Sequence, residues 1–141
     1  MFSKSNLIST LVTTVWGVLG GFLFWGLIGD PYFQHHQGTA TGVMKEEPDM
    51  LVVFLGSLIA GFIFSTIYSK WARGSHSLSH GAKFGVLVGL LIGFGDRLIE
   101  YGVANILDLN GTIVNGIIYI VFFIIMGVLA SLVYGKMKAK S

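Results

Sequence analysis

The chain has 141 residues, and its composition excludes an ordinary soluble domain. Hydrophobic residues make up 53% of it and charged residues only 11%, whereas soluble domains carry about 25% charged residues. The formal net charge is +2, and the basic residues are spread over several segments and form no single patch. We therefore predict an integral membrane protein that resides in a lipid bilayer and does not bind nucleic acid.

Four apolar stretches are long enough to cross a bilayer, which takes roughly 20 helical residues. They cover residues 6–28, 50–68, 82–104 and 112–134. None of them alternates apolar and polar residues as the strands of a membrane barrel do. The sequence predicts an all-α membrane protein, a four-transmembrane-helix bundle that forms one domain over residues 1–141.

The first two stretches carry glycines at the spacing that lets helix backbones approach closely in lipid. Gly17 and Gly21 lie in the first stretch, and Gly61 lies in the second. We expect all three to serve helix packing.

The second half of the chain resembles the first. The pattern around Gly17 and Gly21 recurs around Gly85 and Gly89, 68 residues later. A second pattern recurs 66 residues later: Gly61, Ser65 and Tyr68 match Gly127, Ser131 and Tyr134. These matches fit two parallel repeated hairpins, and they also fit a chance result of small-residue preference in membrane helices.

Charge fixes the predicted orientation. Seven basic residues fall on one side of the predicted spans, and Lys45 falls on the other: the seven are Lys4, Lys70, Arg73, Lys83, Lys136, Lys138 and Lys140. Basic residues favour the cytoplasmic side. We therefore predict that both termini are cytoplasmic and that the loop over residues 29–49 lies outside.

The third stretch holds the most informative residues. It begins with a glycine at every fourth position, Gly81, Gly85, Gly89 and Gly93. Asp96, Arg97 and Glu100 follow, close to the same helical face. We expect the glycines to pack against another helix or another subunit, and the three charges to face a packed neighbour instead of lipid.

The charged residues predict a polar site in the outer half of the membrane. Arg97 is placed to pair with Glu100 at i+3, and Asp96 leaves one unbalanced negative charge. Asn115 and Tyr119 begin the fourth helix at the same level and are candidate partners. Further polar side chains expected around one outward-facing cleft are Trp25, Asp30, Tyr101, Asn105 and Thr112.

No catalytic motif is recognisable, so we predict no enzyme, no cofactor and no metal site. Two histidine pairs, His35 with His36 and His76 with His80, lack an evident third ligand. The chain also has no cysteine, which excludes disulfides and thiolate metal sites.

Several short motifs resemble a known family. Residues 25–30 (WGLIGD) and 42–49 (GVMKEEPD), with Ser69-Lys70-Trp71-Ala72 closing the second stretch, are similar to small four-helix bacterial membrane proteins that carry a domain-of-unknown-function label. The resemblance implies four helices and a bacterial inner membrane. It implies no activity and no site residues.

The sequence thus leaves two functions open. The first is a cleft that binds or passes a proton, an ion or a small solute through Asp96, Arg97 and Glu100. The second is an accessory or scaffold subunit of a membrane complex, in which the same charges lock the bundle. Both fit a homo-oligomer or a membrane-protein partner.

Overall fold

The computed structural model describes residues 2–139, and within them the chain is all-helical, with 79% helix and no strand. Four helices follow one another. α1 covers Lys4–Phe33 and α2 covers Met50–Ala72. α3 runs without a break through Leu78–Gly89, Leu90–Asp96 and Arg97–Val103, and α4 covers Leu109–Lys138. The predicted all-helical class with four helices is confirmed.

Three of the helices are long and apolar enough to cross a membrane, namely α1, α2 and α4. At a rise of 1.5 Å per residue, the 30 residues of α1 and of α4 extend about 45 Å, more than the roughly 30 Å of a hydrocarbon core. α3 does not meet the same criterion, so the predicted span over residues 82–104 is not shown.

Each helix begins at a side chain that caps its first turn. Ser3, Asp49, Ser77 and Asp108 each accept a hydrogen bond from the backbone N–H three residues later. Such caps satisfy N–H groups that the first turn of a helix leaves unpaired. They explain why the four helices start where they do.

The glycines of α3 lie against α4. A Cβ atom built at Gly89 would lie 2.6 Å from the Cα of Ile120, and one at Gly93 would lie 2.6 Å from the Cβ of Tyr119. Gly81 and Gly85 approach the α4 backbone at Gly127 and Phe123 more closely still. The absence of side chains is therefore what allows these two backbones to meet.

The glycines of the first hairpin behave differently from one another. A Cβ atom at Gly61 would lie within 3.0 Å of the hydroxyl oxygens of Thr13 and Thr14, and one at Gly17 would lie 3.3 Å from the Cβ of Ser57. Gly21, by contrast, has open space where its side chain would be. Among residues 2–139, nothing packs at the position that a Gly21 side chain would take, so the expected packing role of Gly21 is absent there.

A polar seam joins α1 to α2. Its members on α1 are all buried: Asn6, Ser9, Thr10, Thr13 and Thr14. The Ser9 and Ser65 hydroxyl oxygens lie 2.8 Å apart, and the Asn6 amide donates to the hydroxyls of Thr66 and Tyr134, each at 3.1 Å. The remaining threonine hydroxyls donate to carbonyls within α1. Hydrogen bonds thus replace apolar side chains in this contact.

The two hairpins also touch through matching residues. The Tyr134 hydroxyl donates to the Ser65 carbonyl oxygen at 3.1 Å. The rings of Tyr68 and Tyr134 meet with centroids 5.6 Å apart. Two tyrosines that match in the sequence are therefore in contact between the two hairpins.

Matching segments of α1 and α3 share an unusual backbone. Phe22–Gly29 and Leu90–Asp96 are both π-helical, and they are preceded by the matching glycines Gly21 and Gly89. π-Helical turns are rare and occur frequently at functional sites. Both segments lie in the second halves of their helices, towards the loops before α2 and α4.

Candidate functional site

The three charges of α3 form one linked group. Arg97 Nη1 donates to Glu100 Oε2 at 2.8 Å, and Arg97 Nη2 donates to Asp96 Oδ2. The predicted i+3 pairing of Arg97 with Glu100 is therefore present. One guanidinium serves two carboxylates, so the group keeps one negative charge in excess.

The burial of the group is uneven. The side chains of Arg97 and Glu100 are 26% and 32% exposed, whereas that of Asp96 is 59% exposed. The expectation that all three face a packed neighbour is wrong for Asp96 within the chain. The π-helical segment that ends at Asp96 turns through fewer degrees per residue than an α-helix, and this rotates Asp96 away from the glycine face.

A small cavity opens beside Arg97 and Glu100. Its polar lining comes from α3 and α4: Arg97, Glu100, Tyr101, Thr112 and Asn115. The volume of the cavity is about 10 Å³, which is near the minimum that holds one water molecule. The cavity therefore suits a water or a bare ion and is too small for an organic solute.

Arg97 has a further polar atom near this cavity. Its Nε is buried and has no hydrogen-bond partner within residues 2–139. Most buried donors in folded proteins are satisfied by protein or by ordered water. A water in the adjacent cavity would meet this need.

The two predicted partners on α4 occupy different positions. Asn115 lines the cavity, and its Oδ1 accepts a 2.7 Å hydrogen bond from Trp25 Nε1 of α1. Tyr119 lies outside the lining and packs on Trp25 with ring centroids 4.6 Å apart. Trp25 therefore connects the cavity to α1, and Tyr119 packs against Trp25 outside the cavity lining.

Other residues expected near the cleft lie elsewhere. Asp30 is exposed and accepts a 2.7 Å hydrogen bond from Gln34. Asn105 uses its carbonyl oxygen to accept from the Ala40 amide. Neither lines the cavity.

Those loop contacts form a clamp over the cavity. Gln37 and Leu107 form an antiparallel bridge, Gly38 N donates to Ile106 O at 2.8 Å, and Asp108 N donates to His36 O at 2.9 Å. Ile106 and Leu107 also line the cavity. The loop before α2 is thus fixed to the turn before α4.

An ionisable pair strengthens the clamp. His36 Nδ1 lies 2.8 Å from Asp108 Oδ2, and Asp108 Oδ1 accepts from Gly111 N at 2.7 Å. The Gly111 amide first, and His36 second, hold the pKa of Asp108 below its usual range. Asp108 therefore stays charged while it caps α4 and binds His36.

The histidines at the opposite end have structural contacts. The His80 ring lies 2.8 Å from the Ser77 hydroxyl, and the His76 ring stacks on Tyr134 with centroids 5.2 Å apart. Burial first, then Lys138 and His80, lower the pKa of His76. Across residues 2–139 no three metal-ligating side chains come together.

Aromatic side chains separate the cavity from the polar seam. Trp16, Phe24 and Trp25 of α1 surround Phe122 of α4 at centroid distances of 5.2–6.5 Å. Asn115 precedes Phe122 by seven residues, about 10 Å along α4. An aromatic layer therefore lies between the level of the cavity and that of the polar seam.

Comparison of the chain with protein-family models, curated proteins and solved structures found no match. The resemblance to small four-helix bacterial membrane proteins stays a prediction.

Proposed function

We propose that the chain is a multi-pass protein of a bacterial cytoplasmic membrane, with four crossings and both termini in the cytoplasm. α3 is the fourth crossing, since its glycines follow α4 from Gly127 to Gly116. The start of α1 and the end of α4 lie together, because Asn6 donates to Tyr134. We call this the basic end, and the opposite end, with the loops before α2 and α4, the acidic end.

The basic end carries most of the lysine and arginine residues, which favours the cytoplasm. The acidic end holds Asp30, Glu46, Glu47, Asp49 and Asp108 against Lys45. The cavity beside Arg97 therefore faces the outer side in this proposal.

We infer that this cavity takes up a proton or a small monovalent cation. The observation that supports it best is the single guanidinium of Arg97 between Asp96 and Glu100, beside space for one water or ion. A second positive charge bound at Glu100 would balance the group. A structural lock needs only one acid for each base and gains nothing from the excess carboxylate.

The size of the cavity limits which ligands it can hold. Space for one water excludes an organic solute in this conformation. The aromatic layer blocks the way from the cavity to the polar seam, so passage across the membrane would need this layer to open. Binding from the outer side needs no such change.

Trp25 supplies a reporter for binding, because its indole N–H is bonded to the cavity residue Asn115. We expect tryptophan fluorescence of the solubilised protein to change as pH, Na⁺ or K⁺ is varied. Glu100→Gln removes the charge with little change of shape and should abolish the response. Glu47→Gln, the same change in an exposed loop, should retain it. An unchanged response in Glu100→Gln would contradict the proposal.

A second function has one observation in its favour. The exposed carboxylate of Asp96 lies on the outer surface of α3, where a charge near lipid is costly, and Gly102 on the same helix has open space around it. A second copy of the chain or another membrane protein would cover both. Cross-linking through Ile99→Cys, which is 68% exposed, should then trap a dimer or a heterocomplex in membranes.

A further inference from the structure

An open groove lies at the basic end, away from the cavity of the proposed function. It is lined by the last turns of α2 and the first turns of α3: Ile67, Lys70, Trp71, Arg73, His80 and Lys83. Its volume is about 720 Å³, within the roughly 300–1,000 Å³ typical of ligand sites. α2 and α3 are joined here by a short turn, and the Trp71 ring of α2 packs on Phe84 of α3 with centroids 5.5 Å apart beside the groove.

The groove has positive charge that the protein does not balance. Lys70, Arg73 and Lys83 are exposed, and none of them forms an ion pair within residues 2–139. All seven Asp and Glu residues of the chain lie at the acidic end or in the second half of α3. Balancing charge for the groove must therefore come from outside these residues.

The groove also offers neutral hydrogen-bond donors. The Ser77 hydroxyl accepts from the His80 backbone N–H and lies 2.8 Å from His80 Nδ1. If this hydroxyl donates to Nδ1, the neutral ring carries its proton on Nε2. Trp71 is 37% exposed and packs edge-on against His80 at 5.8 Å, so an indole lies beside the lysines. Tryptophan is enriched at the level of lipid headgroups.

Apolar side chains continue from the groove along the helices. Ile63 and Ile67 of α2 and Leu87 of α3 are each about half exposed. Leu87 follows Lys83 by one helical turn, towards the middle of the bundle. The groove thus presents cations at its end and an apolar surface next to them. An anionic phospholipid has the complementary arrangement, with a phosphate headgroup followed by apolar acyl chains.

We propose that this groove binds the phosphate group of an anionic phospholipid, with Lys70, Arg73 and Lys83 around the headgroup and the acyl chains against Ile63, Ile67 and Leu87. Basic pockets between membrane helices on the cytoplasmic side are known to take anionic headgroups. We assign the occupant as a lipid and not as free phosphate, because only the acyl chains of a lipid would cover the apolar residues next to the cations.

Native mass spectrometry of the full chain in detergent tests this inference. The probes are dioleoylphosphatidylglycerol, dioleoylphosphatidylcholine and inorganic phosphate, each titrated separately. We expect the wild type to bind the anionic lipid more tightly than the zwitterionic one. Lys70→Gln with Lys83→Gln should weaken this preference by roughly fivefold for each lysine removed.

A matched control separates the groove from general charge. Lys4→Gln with Lys136→Gln removes the same charge from the same end, outside the groove, and should leave the preference unchanged. Circular dichroism verifies that both double variants keep their helices. Equal binding of the two lipids by the wild type, or equal loss in both double variants, would overturn the inference. Inorganic phosphate binding as tightly as the anionic lipid would overturn the assignment to a lipid.

Discussion

Arg97 pairs with both carboxylates of α3, because its guanidinium donates to Asp96 and to Glu100. Replacing it with leucine leaves two carboxylates on one helix face without a cation. We expect Arg97→Leu to lower the free energy of unfolding by about 1.5–3 kcal/mol, the range for lost hydrogen bonds to charged groups. The loss should fall below the roughly 3–5 kcal/mol for breaking a fully buried pair, because Asp96 is largely exposed.

Thermal melting in detergent measures this effect. Leu98→Ala is the control, since Leu98 is the next residue on α3 and is 44% exposed. It should melt close to the wild type. If Arg97→Leu melted no lower than Leu98→Ala, the guanidinium would contribute nothing to the fold.

His76 predicts a pH dependence of stability at the basic end. Its pKa is lowered in the fold, first by burial and then by Lys138 and His80, so the unfolded chain binds a proton more readily. Stability is therefore complete above the ordinary histidine pKa of about 6.5 and falls as pH drops through the lowered value. The melting temperature should decrease between pH 7.5 and 5, and His76→Gln should reduce this decrease. A melting temperature that rose on acidification in the wild type alone would contradict the sign.

The sequence predicted the positions of some residues of the site and not of others. The i+3 spacing of Arg97 and Glu100 was sufficient to predict their ion pair, because helical geometry fixes it. The exposure of Asp96 was not predictable from an α-helical wheel, since it depends on the π-helical backbone before it. Asn115 lies in the cavity lining, whereas the position of Tyr119 depends on how Trp25 packs.

Between elements, the α3 and α4 contact depends on glycine. A side chain at Gly89 would meet the α4 backbone at Ile120, so we expect Gly89→Leu to destabilise the protein by about 1–3 kcal/mol or more. Gly102→Leu is the same change in the same helix at a position with open space. It should have little effect on melting in detergent. Equal melting of the two variants would mean that α3 does not need close approach to α4.

The polar side chains of the α1 and α2 contact were missed in the sequence, although a signal was present. Asn6, Ser9, Thr10, Thr13 and Thr14 recur at spacings of three and four, the pattern of one helical face. Small polar residues at helix contacts are common in membranes. The partner residues, such as Ser65, were not identifiable without knowing which helices are neighbours.

The loop clamp could not be predicted by the same means. Gln37 and Leu107 are separated by 70 residues and have no special sequence pattern. Their pairing depends on the distance between the ends of α1 and α4, which helix packing sets. The sequence predicted a long outer loop but not its attachment.

The orientation of the whole molecule in the membrane can be tested by labelling single cysteines. The chain has no cysteine, so single cysteines give labelling without background. We expect Thr39→Cys to react with a membrane-impermeant thiol reagent in intact cells and Ser79→Cys to react only after lysis. Both positions are exposed in the fold. Labelling of Ser79→Cys alone in intact cells would reverse the orientation and place the cavity in the cytoplasm.

Ion and proton movement in liposomes that contain the purified protein tests whether Glu100 takes up a cation. Wild type, Glu100→Gln and Glu47→Gln are compared under gradients of H⁺, Na⁺ and K⁺ at several pH values. If the excess carboxylate at Arg97 takes up a cation during transport, wild type and Glu47→Gln should show pH-dependent flux and Glu100→Gln should lose it while melting normally. Flux through Glu100→Gln equal to that of the wild type would contradict a functional carboxylate, and with an unchanged Trp25 response it would leave the accessory-subunit role.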